Sequence, residues 1–309
     1  MGDAVELEVG DRTVRISNPE RIYFPERGET KLDLARYYLA VGDGIVRALR
    51  DRPCMMHRFP EGVTGEKVHQ KRLPRGAPEW VRTVRVDFPS GRHADELCVG
   101  HVADVVWAVQ MSTVEFHPWN SRRSDVERPD EWRIDLDPMP EADYAKVRTV
   151  SATVREVLAE LGALGWPKTS GGNGLHIYVR ILPEYGFRDV RRAAWAFARE
   201  VERRLPDLVD LTWWRKDRDP STVFVDYNQN ARDHTIRAAY SVRGAPHAPV
   251  SAPIRWQEIP DADPRDFTIA TVPARYAAVG DLHAGIDAAP YSLAPLMEWA
   301  ERDETPPPE

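Results

Sequence analysis

The stretch WRIDLDP, residues 132–138, constrains the fold of this chain more than any other segment. Its residues alternate between apolar and charged, which is typical of a β-strand whose successive side chains point to opposite faces of a sheet. Asp135 and Asp137 therefore share one face of the predicted strand. Two carboxylates on one face repel each other and resist burial unless a cation or a hydrogen-bond donor compensates them. The sequence thus predicts a sheet whose polar face either meets water or binds something positive.

Further strands and helices are predicted on both sides of this segment. Three other strands are STVEFH, which ends at His117, GLHIYVRI at 174–181, and TVFVDY at 222–227. One helical run, TKLDLARYYLAVGDGIVRALRD, begins at a Thr30 cap, and two amphipathic helices cover PEADYAKVRTVSATVREVLAELGALG and the segment from Asp189 to Leu205. This order of elements predicts an α+β domain with helices packed on one side of a sheet.

The same alternation places further polar residues on the face of the sheet that carries the aspartates. His176 and Asp226 each stand opposite the aliphatic residues of their strands. If helices cover the aliphatic face, Asp135, Asp137, His176 and Asp226 share an open polar face. Three carboxylates open to solvent suit Mg²⁺ or Mn²⁺, and two such ions activate a hydroxyl and stabilise a leaving phosphate oxygen. A cluster of solvated acids at a strand edge is the alternative explanation.

A glycine-rich turn precedes one of these strands in KTSGGNGLHIYV, residues 168–179. Gly171 and Gly172 let backbone N–H groups approach a phosphate closely, and the Ser170 hydroxyl is an additional donor. The turn is not a P-loop, because a strand and not a helix follows it, and an ordinary hairpin connection is the alternative. His176 is suited to donate to a triphosphate, and His117, at the end of its strand, is a further candidate.

Composition limits the class of protein. The chain has 309 residues, of which 42% are hydrophobic and 29% charged, values that are typical of a globular protein. No segment approaches the ~20 apolar residues of a membrane span, and the first residues lack the pattern of a signal peptide. Cys54 and Cys98 form neither a disulfide framework nor a metal knuckle. A net charge of −7 argues against a chain that coats nucleic acid. We expect a cytoplasmic protein with no membrane partner.

Taken together, these residues resemble the polymerase domain of bacterial ligase D, in the archaeo-eukaryotic primase superfamily, in its stand-alone form without a ligase or nuclease module. The resemblance implies an RRM-like catalytic sheet with helices on one side and an N-terminal α/β module, packed into one unit over residues 1–298, with the module at about 1–105 and the core at about 106–298. Residues 299–309 are expected to be a frayed acidic, proline-containing tail. The segments that carry the resemblance, in the family's order, are NPERIYFPERGETKLDLARYY, RPCMMHRFPEGVTGEKVHQKRLP, EFHPWNS, RIDLDP, KTSGGNGLHIYV, FVDYNQNARDHTIRAAYSVRGAPHAPVSAPIRWQEI and DFTIATVPARYAAVGDLHAGI.

The resemblance implies template-directed nucleotidyl transfer with two Mn²⁺ or Mg²⁺ ions. The implied enzyme is a DNA-dependent polymerase that extends primers and fills short gaps in DNA repair, with ribonucleotides favoured. Its implied partners are gapped or primer–template DNA with a 5′-phosphate, NTP or dNTP, and end-joining or repair proteins such as Ku and a DNA ligase, at the nucleoid of a bacterial cytoplasm. The implied residues are Asp135, Asp137 and Asp226 for catalysis and metal binding; His117, Ser170, Gly171, Gly172, His176, Gln229 and Arg243 for the nucleotide; and Arg21, Lys31, Gln70 and Lys71 for DNA, the first two at the 5′-phosphate.

Two departures from the family's pattern concern the template more than the carboxylates. Val68 and His69 stand where the family usually has two adjacent aromatic residues for base stacking, and Asn173 replaces a lysine of the phosphate loop. Two other functions stay open. A DxD glycosyltransferase also uses Mn²⁺ and a nucleotide donor, but it gives no reason for the pair Arg21 and Lys31. A non-catalytic nucleic-acid-binding module with an RRM-like sheet would present aromatic residues where this chain presents carboxylates.

Overall fold

The structure, a computed structural model, describes residues 4–303 and 306–308. Within these ranges no helix is both long and apolar enough to cross a bilayer. The helices are α1 (Lys31–Ala40), α2 (Gly42–Leu49), α3 (Val102–Gln110), α4 (Tyr144–Glu160), α5 (Phe187–Arg204), α6 (Val272–Val279) and α7 (Ala294–Arg302). The strands are β1 (Ala4–Val9), β2 (Arg12–Ser17), β3 (Ile22–Phe24), β4 (Glu29–Thr30), β5 (Pro53–Arg58), β6 (Val68–Gln70), β7 (Thr83–Asp87), β8 (His93–Cys98), β9 (Thr113–Pro118), β10 (Ser121–Arg122), β11 (Asp125–Pro129), β12 (Glu131–Pro138), β13 (Trp166–Thr169), β14 (Leu175–Arg180) and β15 (Val223–Asp226).

The chain divides into two units, each built from three separate segments. Residues 106–126 belong to the first unit, and the module boundary expected near residue 105 stays a prediction. The expectation that residues 1–298 act as one catalytic unit stays a prediction. The first unit comprises Met1–Val126, Thr235–Ala252 and Asp263–Ala284, and the second comprises Glu127–His234, Pro253–Ala262 and Gly285–Glu309.

A five-stranded antiparallel sheet forms the centre of the first unit. Strand β5 pairs with β6, β8 and β9, and β8 pairs in turn with β7. Tyr38 on α1 ties this helix to the sheet, because its hydroxyl donates to the Val114 carbonyl on β9 (2.6 Å) and accepts from the Val242 N–H (3.0 Å). Buried polar groups of this kind are hydrogen-bonded in stable interiors, so the pair of bonds fixes the helix position.

Helix α1 begins at the Thr30 cap that the sequence predicts. The Thr30 side chain accepts from the Asp33 N–H, and the Asp33 carboxylate accepts from the Thr30 N–H, which is a complete capping box. The expected single helical run is, however, two helices. The break falls at Val41, whose backbone (φ −109°, ψ 23°) leaves the helical region before α2 starts at Gly42.

The second unit is built on a four-stranded antiparallel sheet in the order β13-β14-β12-β15. One face is apolar and packs on α4 and α5, where Trp132 meets Phe197 edge to face with ring centroids 4.8 Å apart. The stripe of α4 residues at helical spacing, including Val147, Val150 and Val154, is fully buried. The expected α+β class, with helices on one face of the sheet, is thereby confirmed.

The other face of this sheet carries a polar row that crosses all four strands. In register, Lys168 of β13 pairs with His176 of β14, His176 with Asp135 of β12, and Asp135 with Asp226 of β15. The sequence analysis expected this polar face to be open to solvent. It is not open along its length, because His176 and most of its neighbours are buried. The Glu131 carboxylate accepts from Arg133 Nε (2.9 Å) and from Arg180 Nη1 (3.0 Å), so charges within the face compensate one another.

Helix α7 covers the start of the segment that was expected to be a frayed tail, 299–309. It packs on α5 through Leu296 and Ala300, which are buried, and Arg192 of α5 donates to the Ala300 carbonyl (3.0 Å). Residues 304, 305 and 309 of that tail, and residues 1–3 at the other end of the predicted unit, lie outside the described residues.

Candidate active site

Three aspartates converge at one end of the polar row in the second unit. Asp135 and Asp226 are direct cross-strand partners, which places their Cβ atoms roughly 4.5–5.5 Å apart. Asp137 lies two residues further along the same face of β12, where its side chain is 51% exposed, whereas the Asp135 side chain is only 12% exposed. Like charges directly opposite each other in a sheet are destabilising. The arrangement therefore calls for a cation.

An imidazole and a guanidinium approach two of the aspartates at this end of the sheet. The His176 Nε2 lies 3.4 Å from Asp135 Oδ1, and the Arg215 Nη1 lies 3.7 Å from Asp137 Oδ2. Asp226 caps a 3₁₀ turn, with Oδ1 accepting from the Asn228 N–H (2.8 Å). Three carboxylates supply only oxygen ligands, and oxygen ligands are what the hard cations Mg²⁺ and Mn²⁺ take. The donor set thus fits a divalent metal.

The glycine-rich turn between β13 and β14 lies beside the aspartate strand. A side chain on Gly174 would meet the Leu136 carbonyl oxygen at 2.5 Å, so only glycine permits this approach. Gly171 takes a positive φ of +74°. The Ser170 Oγ accepts from the backbone N–H groups of Gly172 and Gly174, each at 3.1 Å. Ser170 therefore shapes the turn from within, and its predicted role as a donor to phosphate stays a prediction.

Gln229 belongs to the site as a partner of an aspartate. It lies on the 3₁₀ turn Tyr227–Asn230 that follows β15, and its Nε2 donates to Asp226 Oδ2 (2.8 Å). The sequence analysis missed Asn230, which anchors this turn to β12. The Asn230 Oδ1 accepts from the Arg133 N–H (2.9 Å), and its Nδ2 donates to the Arg133 carbonyl (2.8 Å). A polar residue that ends the motif DYNQN, directly after a strand, was the signal available in the sequence.

His117, in the first unit, is one of several donors to a single buried carboxylate. The Glu115 Oε2 lies 2.7 Å from His117 Nε2, 3.0 Å from His57 Nδ1 and 3.1 Å from Arg237 Nη1. The Glu115 Oε1 accepts from the Gly244 N–H (2.8 Å). Burial alone would raise the pKa of Glu115, but the hydrogen bonds from His117 and His57 outweigh burial and hold it far below its usual range. Glu115 was absent from the sequence analysis.

The rings of His57 and His117 are in close contact within this cluster. Burial is the largest cause that lowers the pKa of His117, to about 3, and the neighbouring His57 lowers it further. The His57 and His117 rings are stacked with centroids 3.8 Å apart. His57, Glu115 and His117 have the make-up of a metal site, with ligand atoms within 4.8 Å of one another. The Arg237 guanidinium, however, already occupies the shared oxygen Glu115 Oε2, and its positive charge opposes a second cation there.

Arg243, which the sequence analysis expects at the nucleotide, also lies in the first unit, next to the residue that Glu115 binds. Its backbone N–H donates to the Pro249 carbonyl (2.8 Å), and Gly244 follows it. Arg243 is thus the chain neighbour of a backbone donor to the Glu115 carboxylate that His117 also contacts. The structure brings the aspartates, His176, the Ser170 turn and Gln229 together in the second unit.

The DNA residues expected from the sequence lie in the first unit and differ in exposure. Arg21 is at the surface, where it donates to the Pro60 carbonyl and faces Glu61 (3.7 Å). Lys31 is buried, and its Nζ donates to the Ser17 carbonyl (3.1 Å) and to the backbone and side-chain oxygens of Gln110 (2.8 and 3.0 Å). Burial first, then repulsion from Arg21, lowers the pKa of Lys31 to about 8. Lys31 thus supplies charge beneath the surface, and Arg21 is the member of the pair that meets solvent.

Gln70 and Lys71, the two other residues expected to contact DNA, follow directly after the positions where the family usually has aromatic residues. The Gln70 Oε1 accepts from Arg58 Nη1 (2.9 Å), and the Lys71 ammonium lies over the Phe88 ring (4.6 Å). His69 is exposed and its ring lies 4.5 Å from that of His57. An imidazole therefore occupies the place of an aromatic ring and continues the histidine stack to the surface.

Comparison with known proteins identifies the family of this chain. A family model described as "LigD, primase-polymerase domain" matches residues 30–283. The chain belongs to this family. The multifunctional non-homologous end joining protein LigD of Pseudomonas aeruginosa is 34% identical over 246 residues, which are 80% of this chain and 29% of that protein. The LigD protein of Mycolicibacterium smegmatis is 31% identical over 300 residues, which are 96% of this chain and 39% of that protein.

A solved structure agrees with the family assignment. The polymerase domain from Mycobacterium tuberculosis ligase D in complex with DNA is 29% identical, with a TM-score of 0.83 over 90% of this chain and 99% of that one. The chain spans about a third of the length of the two LigD relatives, 29% and 39%. The resemblance to the polymerase domain of ligase D is confirmed, and as a LigD primase-polymerase domain the chain is an enzyme of the nucleotidyltransferase class.

Proposed function

We propose that the chain is a template-directed polymerase that extends primers and fills short gaps during DNA repair, with two Mn²⁺ or Mg²⁺ ions as cofactors. The observation that carries the proposal is the convergence of Asp135, Asp137 and Asp226 at one end of the polar row. Carboxylates in such an arrangement favour divalent metals, and phosphoryl transfer depends on such metals for charge neutralisation.

The residues of the second unit take complementary parts in the proposed reaction. Asp135, Asp137 and Asp226 hold the two ions. When bound, these ions lower the pKa of the primer 3′-hydroxyl and offset the charge of the triphosphate. The Ser170 turn and His176 bind the triphosphate. The 3′-oxygen forms a bond to the α-phosphorus, the bond from that phosphorus to the bridging oxygen of the β-phosphate breaks, and pyrophosphate leaves.

The first unit supplies the proposed contacts to DNA and further contacts to the nucleotide. Arg21 at the surface and Lys31 beneath it favour a terminal 5′-phosphate, because a guanidinium presents several donors to phosphate oxygens. His117 and Arg243 act on the nucleotide. Gln70 and Lys71 contact the template side, where His69 stands in for an aromatic ring and stacks on a base.

The proposal extends to substrate and partners. A solved structure similar to this chain is the ligase D polymerase domain in complex with DNA, and the relatives are named as non-homologous end joining proteins. By this likeness we propose gapped DNA with a 5′-phosphate as the substrate, ribonucleotides in preference to deoxyribonucleotides, Mn²⁺ in preference to Mg²⁺, and Ku and a DNA ligase as partners in the bacterial cytoplasm. Membership of a primase-polymerase family leaves the glycosyltransferase and the non-catalytic binding module without support.

Primer extension tests the proposal directly. The substrate is duplex DNA with a gap of one to three nucleotides and a 5′-phosphate, supplied with rNTP or dNTP and with Mn²⁺ or Mg²⁺. We expect templated addition by the wild-type chain, and none by Asp137→Ala, whose folding should be intact because Asp137 is half exposed. No addition with either metal, or full activity of the variant, would rule out this assignment of the site.

A further inference from the structure

The second unit contains a buried lysine to which the proposed mechanism assigns no role. Lys168 on β13 is 0% exposed, and its Nζ lies 2.6 Å from the Nδ1 of His176. The Tyr178 ring, with its centroid 4.9 Å from Nζ, holds the same ammonium by a cation–π contact. Lys168 and His176 are register partners on neighbouring strands, so backbone pairing fixes their contact. Burial of a lysine is costly, which indicates that Lys168 has a role beyond packing.

The contacts on both sides of His176 determine which ring nitrogen carries the proton. An ammonium group only donates, so a bond of 2.6 Å from Lys168 requires the lone pair of His176 Nδ1. The proton of the imidazole is then on Nε2, which lies 3.4 Å from Asp135 Oδ1. The opposite assignment has a neutral amine accepting from Nδ1–H. With an imidazolium, it would move a proton from the more basic amine to the ring. With a neutral imidazole, it would leave the Nε2 lone pair facing a carboxylate oxygen. Two acceptors facing each other repel, so the first assignment is the consistent one.

We propose that Lys168 is a positioning residue that fixes the Nε2–H tautomer of His176, so that the imidazole presents a donor toward the carboxylates and the incoming triphosphate. The purpose of this arrangement rests on the proposed function, but the tautomer itself does not. An N–H donor binds an anionic phosphate oxygen by a charge-assisted bond, whereas the bare Nε2 of the other tautomer would repel it.

Lys168 is needed to fix the His176 tautomer because Asp135 is also a proposed metal ligand. In the resting arrangement, the Asp135 carboxylate also favours a proton on Nε2. Once Asp135 binds a metal, its oxygens are engaged and its hold on the imidazole weakens. Lys168 approaches the other ring nitrogen, Nδ1, and is not one of the proposed metal ligands. The tautomer thus stays fixed at the step in which the triphosphate binds.

Nitrogen-15 NMR of the histidine rings in the whole chain tests the proposal, with His176 assigned by its disappearance in His176→Gln. In the wild type we expect protonated Nε2 and unprotonated Nδ1. Asp135→Ala should keep this tautomer, because Lys168 is still present, and the double variant Asp135→Ala/Lys168→Met should give a mixture. A proton on Nδ1 in the wild type, loss of the tautomer in Asp135→Ala, or its retention in the double variant would overturn the proposal. The first two measurements leave the buried lysine intact, so the test holds even if the double variant does not fold.

Kinetics of nucleotide addition supply the second readout. Lys168→Met should raise the KM for the nucleotide roughly tenfold, the effect of losing one hydrogen bond to a charged group, and change kcat less. Lys168→Arg, which keeps a donor and the charge, should restore most of the affinity. Lys146→Met is the matched control, because Lys146 lies on α4 and donates to the Ser221 carbonyl (2.5 Å), and it should leave KM unchanged. An unchanged KM in Lys168→Met would overturn the role in binding. The expected tautomers in a chain that adds no nucleotide would refute the proposed function alone.

Discussion

Replacing Glu115 by glutamine should be one of the most destabilising single changes in the first unit. The substitution keeps the shape of the side chain but removes its charge and turns one acceptor oxygen into a donor amide. The Glu115 carboxylate accepts from two histidines, one arginine and one backbone N–H. The new amide would face at least one of these donors, and the Arg237 guanidinium would lose one charged partner.

The size of the effect follows from burial and from the number of bonds. Glu115 is 4% exposed, so water cannot replace what the substitution removes. Removing one partner of a buried ion pair usually costs about 3–5 kcal/mol in the free energy of unfolding, because the other charge stays buried and unpaired. We expect a loss of that order in Glu115→Gln. A loss this large is a substantial part of the about 5–15 kcal/mol that stabilises a typical domain.

Urea unfolding followed by circular dichroism measures this loss. Glu8→Gln is the matched control, because Glu8 is exposed on β1 in the same unit and accepts from the Thr13 hydroxyl (3.1 Å). The control should unfold at the wild-type midpoint. A Glu115→Gln chain that is as stable as the wild type, within about 0.5 kcal/mol, would refute the view that this carboxylate organises the cluster.

Three further predictions address other parts of the account. Acidification from pH 6.5 to 4 should lower the free energy of unfolding by roughly 3 kcal/mol through His117, because with a pKa of about 3 in the folded state only the unfolded chain takes up the proton. The midpoint of urea unfolding should therefore fall less steeply with decreasing pH in His117→Asn than in the wild type, and equal slopes would contradict this. Asn230→Ala should lower the free energy of unfolding by about 2–4 kcal/mol, because the N–H and the carbonyl of Arg133 each lose their hydrogen bond to the Asn230 side chain. An unchanged free energy in urea unfolding would argue against this role of Asn230. Arg21→Ala should reduce the preference for a 5′-phosphate over a 5′-hydroxyl roughly tenfold in DNA-binding titrations, whereas Arg36→Ala on α1 should not; equal effects would remove Arg21 from the phosphate contact.

The alternation of WRIDLDP was sufficient to predict the central strand and the shared face of its aspartates. The structure has this strand at Glu131–Pro138, with Asp226 directly opposite Asp135. Local pattern determines which face a side chain takes, because the period of a strand is two residues. The same pattern does not say what covers that face. The polar face was expected to be open, yet His176 and its neighbours are buried, since paired charges such as Glu131 with Arg180 permit burial.

The residues that the sequence analysis missed act through partners distant in the chain. Lys168 and His176 are eight residues apart, but Glu115 meets Arg237 over 122 positions and Asn230 meets Arg133 over 97. Such pairings depend on strand register and on tertiary packing, which a single sequence does not display. Ser170 and Lys31 were found, but their contacts face inward, because the first supports its own turn and the second is buried among carbonyl oxygens.

Binding of Mn²⁺ to the carboxylate site tests the central claim most directly. The amount of free Mn²⁺, followed by electron paramagnetic resonance during titration, gives the affinity without requiring catalysis. We predict that the wild-type chain binds Mn²⁺, that Asp226→Asn weakens binding strongly, and that Asp207→Asn, which changes an exposed carboxylate of the same unit, leaves it unchanged. Equal Mn²⁺ affinity in the wild type and in Asp226→Asn would contradict the claim that the converging aspartates are the metal site.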